Sequence, residues 1–93
     1  MASQIPINLS QVKKEDIDNE ILRAGMIAEL DAVNQYEQMA AMTDNGNIKK
    51  LLSDIAKEEK THVGEFEAIL LQLDKEQKAE LKSGAKEVEK KTS

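Results

Sequence analysis

Three side chains in this sequence have types and spacings suited to holding a cation. Glu59 and His62 stand three residues apart, so on a helix both project from one face, side by side. They interrupt an otherwise apolar stripe, Ile48, Leu52, Ile55, Glu59, His62, Phe66, Ile69 and Leu73. Its steps alternate four and three, the repeat that keeps one line of a helix against a partner. A second stripe, Leu22, Met26, Glu29, Val33, Tyr36 and Ala40, has the same spacing and one charged member, Glu29. Unpaired carboxylates in a low-dielectric seam cost several kcal/mol each. Neither stripe contains a Lys or Arg, and a metal ion suits two carboxylates and an imidazole. Taken singly, a seam Glu commonly snorkels outward or fixes register, and a lone His is commonly a hydrogen-bonded core residue. The three together point to metal.

The elements that must position these residues follow from the intervening segment. Thr43-Asp44-Asn45-Gly46-Asn47 contains Gly and Asn, which can adopt left-handed conformations, and Asp and Asn, which can cap a following helix. The two stripes therefore fold back as an antiparallel hairpin. At ~1.5 Å rise per residue, Glu29 lies about 25 Å before residue 45, and Glu59 and His62 lie about 20 and 25 Å after it. All three arrive at one level.

Composition narrows the class. The chain has 93 residues, 33% of them charged and 2% aromatic, with one Pro, and is rich in Ala, Leu, Ile, Glu, Lys and Gln, which argues for an all-α fold. A helical chain of this size buries a thin core, and oligomerisation is the obvious remedy. With no Cys, thiolate metal sites and disulfides are excluded, which fits a reducing compartment. A net charge of −5 without a basic cluster argues against nucleic acid and favours cations. No signal-peptide pattern or membrane-length apolar run is present, so a soluble, cytoplasmic protein is expected.

In chain order, residues 1–13 read as an extended N-terminal arm, and residues 14–84 as the helical hairpin with a short third helix. The first helix begins near Lys14, with Glu15, Asp16 and Asp18 at its positive end. It carries a second apolar line, Ile17, Ile21, Ala24, Ala28, Ala32, Met39 and Met42, suited to another subunit. Gly25 and Gly64 allow two readings, close approach of a neighbouring backbone or simple tolerance. Val63, Leu70 and Leu71 widen the second stripe towards its end. Asp74-x-x-Gln77 has capping-box form and Gly84 supplies a stop, which predicts a short helix over 75–83. Residues 85–93 read as a charged, solvated or fraying tail.

Carboxylate di-iron sites in helical bundles take one Glu from each of two helices and a Glu-x-x-His pair from each of the other two. One chain supplies half of that set. Two hairpins meeting about a two-fold axis would complete a four-helix bundle with two ions at the interface. Hard carboxylate donors hold iron(II) and can bridge two ions, and one imidazole per metal leaves positions open. The expected activity is oxidation of iron(II) by dioxygen or peroxide, with Glu29, Glu59 and His62 as ligands. The alternatives are a metal-stabilised structural helical oligomer without turnover, and a plain interaction protein in which the three polar residues set register.

The segments Ile27-Ala28-Glu29-Leu30-Asp31-Ala32-Val33-Asn34-Gln35-Tyr36-Glu37 and Glu58-Glu59-Lys60-Thr61-His62-Val63-Gly64-Glu65-Phe66 resemble the encapsulated ferritin-like proteins, the half-ferritin cargo of encapsulin nanocompartments. The similarity extends over about residues 14 to 90. It implies a two-helix antiparallel hairpin plus short C-terminal helix, dimerising into a four-helix ferritin-like bundle with a ferroxidase centre between subunits. It further implies a decameric ring, made as a pentamer of dimers, that passes iron to a surrounding encapsulin shell for storage. On this resemblance Glu29, Glu59 and His62 fall on the ligand positions, and Tyr36 on an aromatic position that supports them. Further acids take in metal in such proteins. Position 28 here is Ala, which leaves Asp31 as the candidate for that role. Members reach the shell through a C-terminal peptide or by fusion to it, and residues 85–93 resemble neither.

Overall fold

The hairpin is shaped by how its turn is capped. In the computed structural model, which describes residues 8–93, α1 (Ile17–Met42) and α2 (Gly46–Leu73) lie antiparallel, and α3 (Lys75–Thr92) follows after one residue. The connection uses no residue with positive φ. Thr43 and Asn45 are extended instead. The Asn45 side chain accepts hydrogen bonds from Asn47 N at 3.0 Å and Ile48 N at 3.1 Å, satisfying two donors that the first turn of α2 leaves unpaired. Across the turn the Lys49 ammonium donates to Ala40 O at 2.6 Å, covering a carbonyl at the negative end of α1.

At the other end of α1 no side chain caps the helix. A 3-10 turn at Lys14–Asp16 leads in, and Asp18 and Glu20 lie in the first helical turn, where acidic groups complement the dipole. The expectation of an extended arm is corrected at Leu9–Gln11, another 3-10 turn, because the Asn8 side chain accepts from Ser10 N at 3.2 Å and caps it. Val12 and Lys13 are extended, and residues 1–7 lie outside the described residues.

Asp74 joins α2 to α3 and serves both. Its backbone N–H donates to Leu70 O at 2.8 Å, and its side chain accepts from Gln77 N at 2.9 Å, the expected capping contact. Its other carboxylate oxygen meets Arg23 of α1 at 3.1 Å, which fixes where α3 leaves the hairpin. Gly84 does not end α3. The helix runs through it to Thr92 without a positive φ, so the charged tail of residues 85–93 is helical almost to its end. A mid-helix Gly costs only about 1 kcal/mol. Beyond it Ala, Glu and Lys predominate, with Glu87 four residues before Lys91 and two lysines in the last turn, all of which favour helix.

The core is thin. Val33, Ala40, Ala56 and Leu70 are its buried apolar members. Small side chains at 40 and 56 let α1 and α2 approach closely, while Leu70, 2% exposed, is sealed where α1, α2 and α3 meet. Ile48, Ile69 and Leu73, all on the heptad stripe, stay exposed, as do Ile21 and Met42 on the second line of α1 and Ile27 and Leu30 beside it. The molecule is a plate of 47 × 43 × 20 Å with uncovered apolar surface. Among the described residues no helix is long and apolar enough to cross a membrane.

Candidate metal centre

Glu29 lies midway along α1, and Glu59 and His62 lie just past the middle of α2. Antiparallel pairing brings the three together, as their distances from the turn require. One donor atom from each lies within 4.8 Å of the others. His62 Nδ1 is 3.0 Å from Glu29 Oε2 and 3.4 Å from Glu59 Oε2, so one ring nitrogen faces both carboxylates. The three are half-buried, with the His62 side chain 42% exposed, so the site is open enough for an ion to enter.

Charge within the triplet is frustrated without a cation. The hydrogen bond to Glu59, reinforced by burial, holds the Glu29 carboxyl above the usual carboxylate range, with His62 opposing. That same bond to Glu29, opposed by burial and aided by His62, holds Glu59 below it. The two carboxyls titrate as an interacting pair. The bond to Glu29, with a smaller contribution from Glu59, pushes the His62 imidazole up against the effect of burial. Among the described residues no Lys or Arg pairs with the triplet. Lys60 turns instead to Glu37, at 3.3 Å. Two hard oxygen donors, one imidazole and the absence of a fixed positive partner make a donor set that fits iron(II).

Tyr36 is half-buried on α1, two turns beyond Glu29, and Asp31 is half-buried two residues beyond it. Asp31 is not one of the three grouped donors. The sequence left the role of Gly25 open, and here a side chain, not a backbone, comes close. A Cβ at Gly25 would meet the Phe66 ring at 2.6 to 2.9 Å, whereas one at Gly64 would meet nothing within 4 Å. The Arg23–Asp74 pair joins residues 51 apart in sequence, and no local pattern signals it.

Two long antiparallel helices carrying acidic and imidazole donors at one level define a ferritin-like helical protein, with α3 appended. The family model described as Rubrerythrin matches residues 20–93, and the chain belongs to the rubrerythrin family. A ferritin-like–encapsulin shell fusion protein of Pyrococcus furiosus is 59% identical over 73 residues, 78% of this chain and 21% of that protein. The encapsulin nanocompartment cargo protein EncC of Myxococcus xanthus is 36% identical over 76 residues, 78% of this chain and 58% of that one. This chain thus spans less than two thirds of the length of either relative. The crystal structure of an encapsulated ferritin domain from Pyrococcus furiosus superposes with a TM-score of 0.84 at 49% identity, covering 99% of this chain and 94% of that one. The resemblance read from residues 27–37 and 58–66 is to these same proteins.

Proposed function

We propose that the chain is half of a ferroxidase, in which two copies bring their Glu29, Glu59 and His62 to one interface and oxidise iron(II) to iron(III). The meeting of those three side chains across α1 and α2 carries the reading. Exposed Ile48 at one end of the same stripe and Ile69 and Leu73 at the other support a second copy seated along it, because large apolar side chains left uncovered on both sides of the triplet favour association. A two-fold contact would double the donor set to four carboxylates and two imidazoles, the complement of a di-iron bundle.

Iron(II) would be the substrate, and two ions held by these residues would give up one electron each, which with two protons reduces dioxygen to hydrogen peroxide or hydrogen peroxide to water. The residues supply binding, charge balance and proton release. Glu29 and Glu59 neutralise the cations, and a carboxylate between two ions can bridge them. His62 gives a terminal nitrogen through Nδ1, the atom that already faces both carboxylates. To ligate, His62 must be neutral and both carboxyls ionised, and because His62 and Glu29 hold their protons more tightly than usual, protons compete with metal for the site. Tyr36 would pack beside the ligands, and Asp31 would receive incoming ions.

The names of the relatives support association with an encapsulin shell, within which a decameric ring of this chain would pass its oxidised iron to the shell for storage. The test is aerobic iron(II) oxidation followed by absorbance, with Glu29→Ala, Glu59→Ala and His62→Ala beside the unaltered protein. Loss of oxidation in all three, with helical circular dichroism retained, is expected. Oxidation at the unaltered rate in all three rejects the site. Metal-dependent assembly without oxidation in the unaltered protein favours a structural ion instead.

A further inference from the structure

We infer that the seating of Phe66 on Gly25 sets the register between α1 and α2 that brings His62 to Glu29, which makes both of them positioning residues for the metal centre. The inference rests on reading the triplet as that centre. Gly25 precedes Glu29 by four residues and Phe66 follows His62 by four. In an antiparallel pair these offsets place the ring one helical turn from the triplet on both helices.

The fit leaves no room for a side chain at position 25. A Cβ there would fall 2.6 Å from Phe66 Cε1, 2.8 Å from Cδ1 and 2.9 Å from Cζ, inside the roughly 3.5 to 4.0 Å at which carbon atoms attract. Sliding α2 by one helical turn would carry the ring ~5.4 Å along α1, to the level of Ile21 or Glu29, each of which carries a side chain on the face where Gly25 has none. Gly64 and Gly84 have nothing within 4 Å of a built Cβ, so the close fit is particular to Gly25. Beside the ring lies a groove of about 170 Å³ lined by Leu22, Glu65, Phe66 and Ile69. A ring that swings into it leaves the notch and no longer holds α2 in place, so an added methyl frees the register without unfolding the hairpin.

Three variants of the full chain test this: Gly25→Ala, Phe66→Leu and Gly25→Ala/Phe66→Leu. Metal-free crystal structures give the distance from His62 Nδ1 to Glu29 Oε2, 3.0 Å here. Cobalt(II) titration followed by visible absorption gives affinity and ligand geometry. In Gly25→Ala the contact should open beyond hydrogen-bond reach, cobalt binding should weaken about tenfold, and the cobalt spectrum should change. Phe66→Leu, which empties the seat, should weaken cobalt binding as well. The double variant, which removes the clash and refills the notch, should recover both the contact and the spectrum. A change in thermal stability alone, with contact and spectrum unmoved in either single variant, overturns the inference, as does a folded double variant that recovers neither. If the unaltered protein binds no cobalt, the metal reading fails and the crystallographic distances still decide the register.

Discussion

Replacing Asp74 with Ala should loosen α3 while leaving the hairpin and the Glu29, Glu59 and His62 triplet in place. Asp74 caps α3 through Gln77 N and pairs with Arg23, and α3 has no buried residue to hold it otherwise. Losing the cap costs about 1 kcal/mol. The ion pair contributes about 0.5 kcal/mol, a low figure because the Arg23 side chain is 41% exposed and solvent screens it. The combined loss of about 1.5 kcal/mol corresponds to roughly a tenfold increase in the open population of α3. Hydrogen exchange followed peptide by peptide reads this directly. Protection should fall about tenfold across residues 75–92 and stay unchanged across α1 and α2 near the triplet. Asp74→Asn keeps the capping acceptor and loses the charge, so it should account for only about 0.5 kcal/mol. Equal losses in the two variants, or a loss spread evenly through α1 and α2, would refute the division of labour assigned to this residue.

Leu70→Ala should destabilise the protein by about 3 kcal/mol, because the side chain is sealed where three helices meet and its removal leaves a cavity. A shift of less than about 1 kcal/mol in urea unfolding would contradict that packing. Gly84→Ala should stabilise α3 by up to about 1 kcal/mol, since φ is not positive there and the added methyl meets nothing. Increased ellipticity at about 222 nm and slower exchange in α3 would show it, and a decrease would mean that another surface covers Gly84. In the metal-free protein His62, held high, binds its proton more tightly folded than unfolded, so acidification from about pH 8 to about pH 6 should raise the melting temperature; Glu29, also held high, adds in the same sense at more acidic pH. Glu59, held low, acts in the opposite sense only at more acidic pH. The same protons compete with metal, so the stabilisation gained on adding iron(II) anaerobically should shrink over that window. A metal-induced shift independent of pH would remove His62 from the ligands.

The hairpin and its triplet were legible in the sequence because both depend on local periodicity. Alternating steps of four and three fixed the facing stripes, and rise per residue placed Glu29 level with Glu59 and His62. The capping roles of Asn45 and Asp74 were legible for the same reason, since each acts within three residues of itself. What local pattern could not give was any choice made by distant packing. Gly84 resembles a helix stop until the helix formers beyond it are weighed against its modest cost. Leu70, off the heptad line, is sealed because α3 turns back over it, while Ile69 and Leu73 on that line stay exposed. The ring of Phe66 on Gly25 and the Arg23–Asp74 pair join positions 41 and 51 residues apart.

Crystals of the assembled protein soaked in iron(II), with anomalous scattering recorded at the iron edge, test the central claim most directly. Paired peaks on or beside a two-fold axis are expected, enclosed by Glu29, Glu59 and His62 from each of two copies. Peaks elsewhere, or these side chains facing solvent with no second copy opposite them, would contradict it.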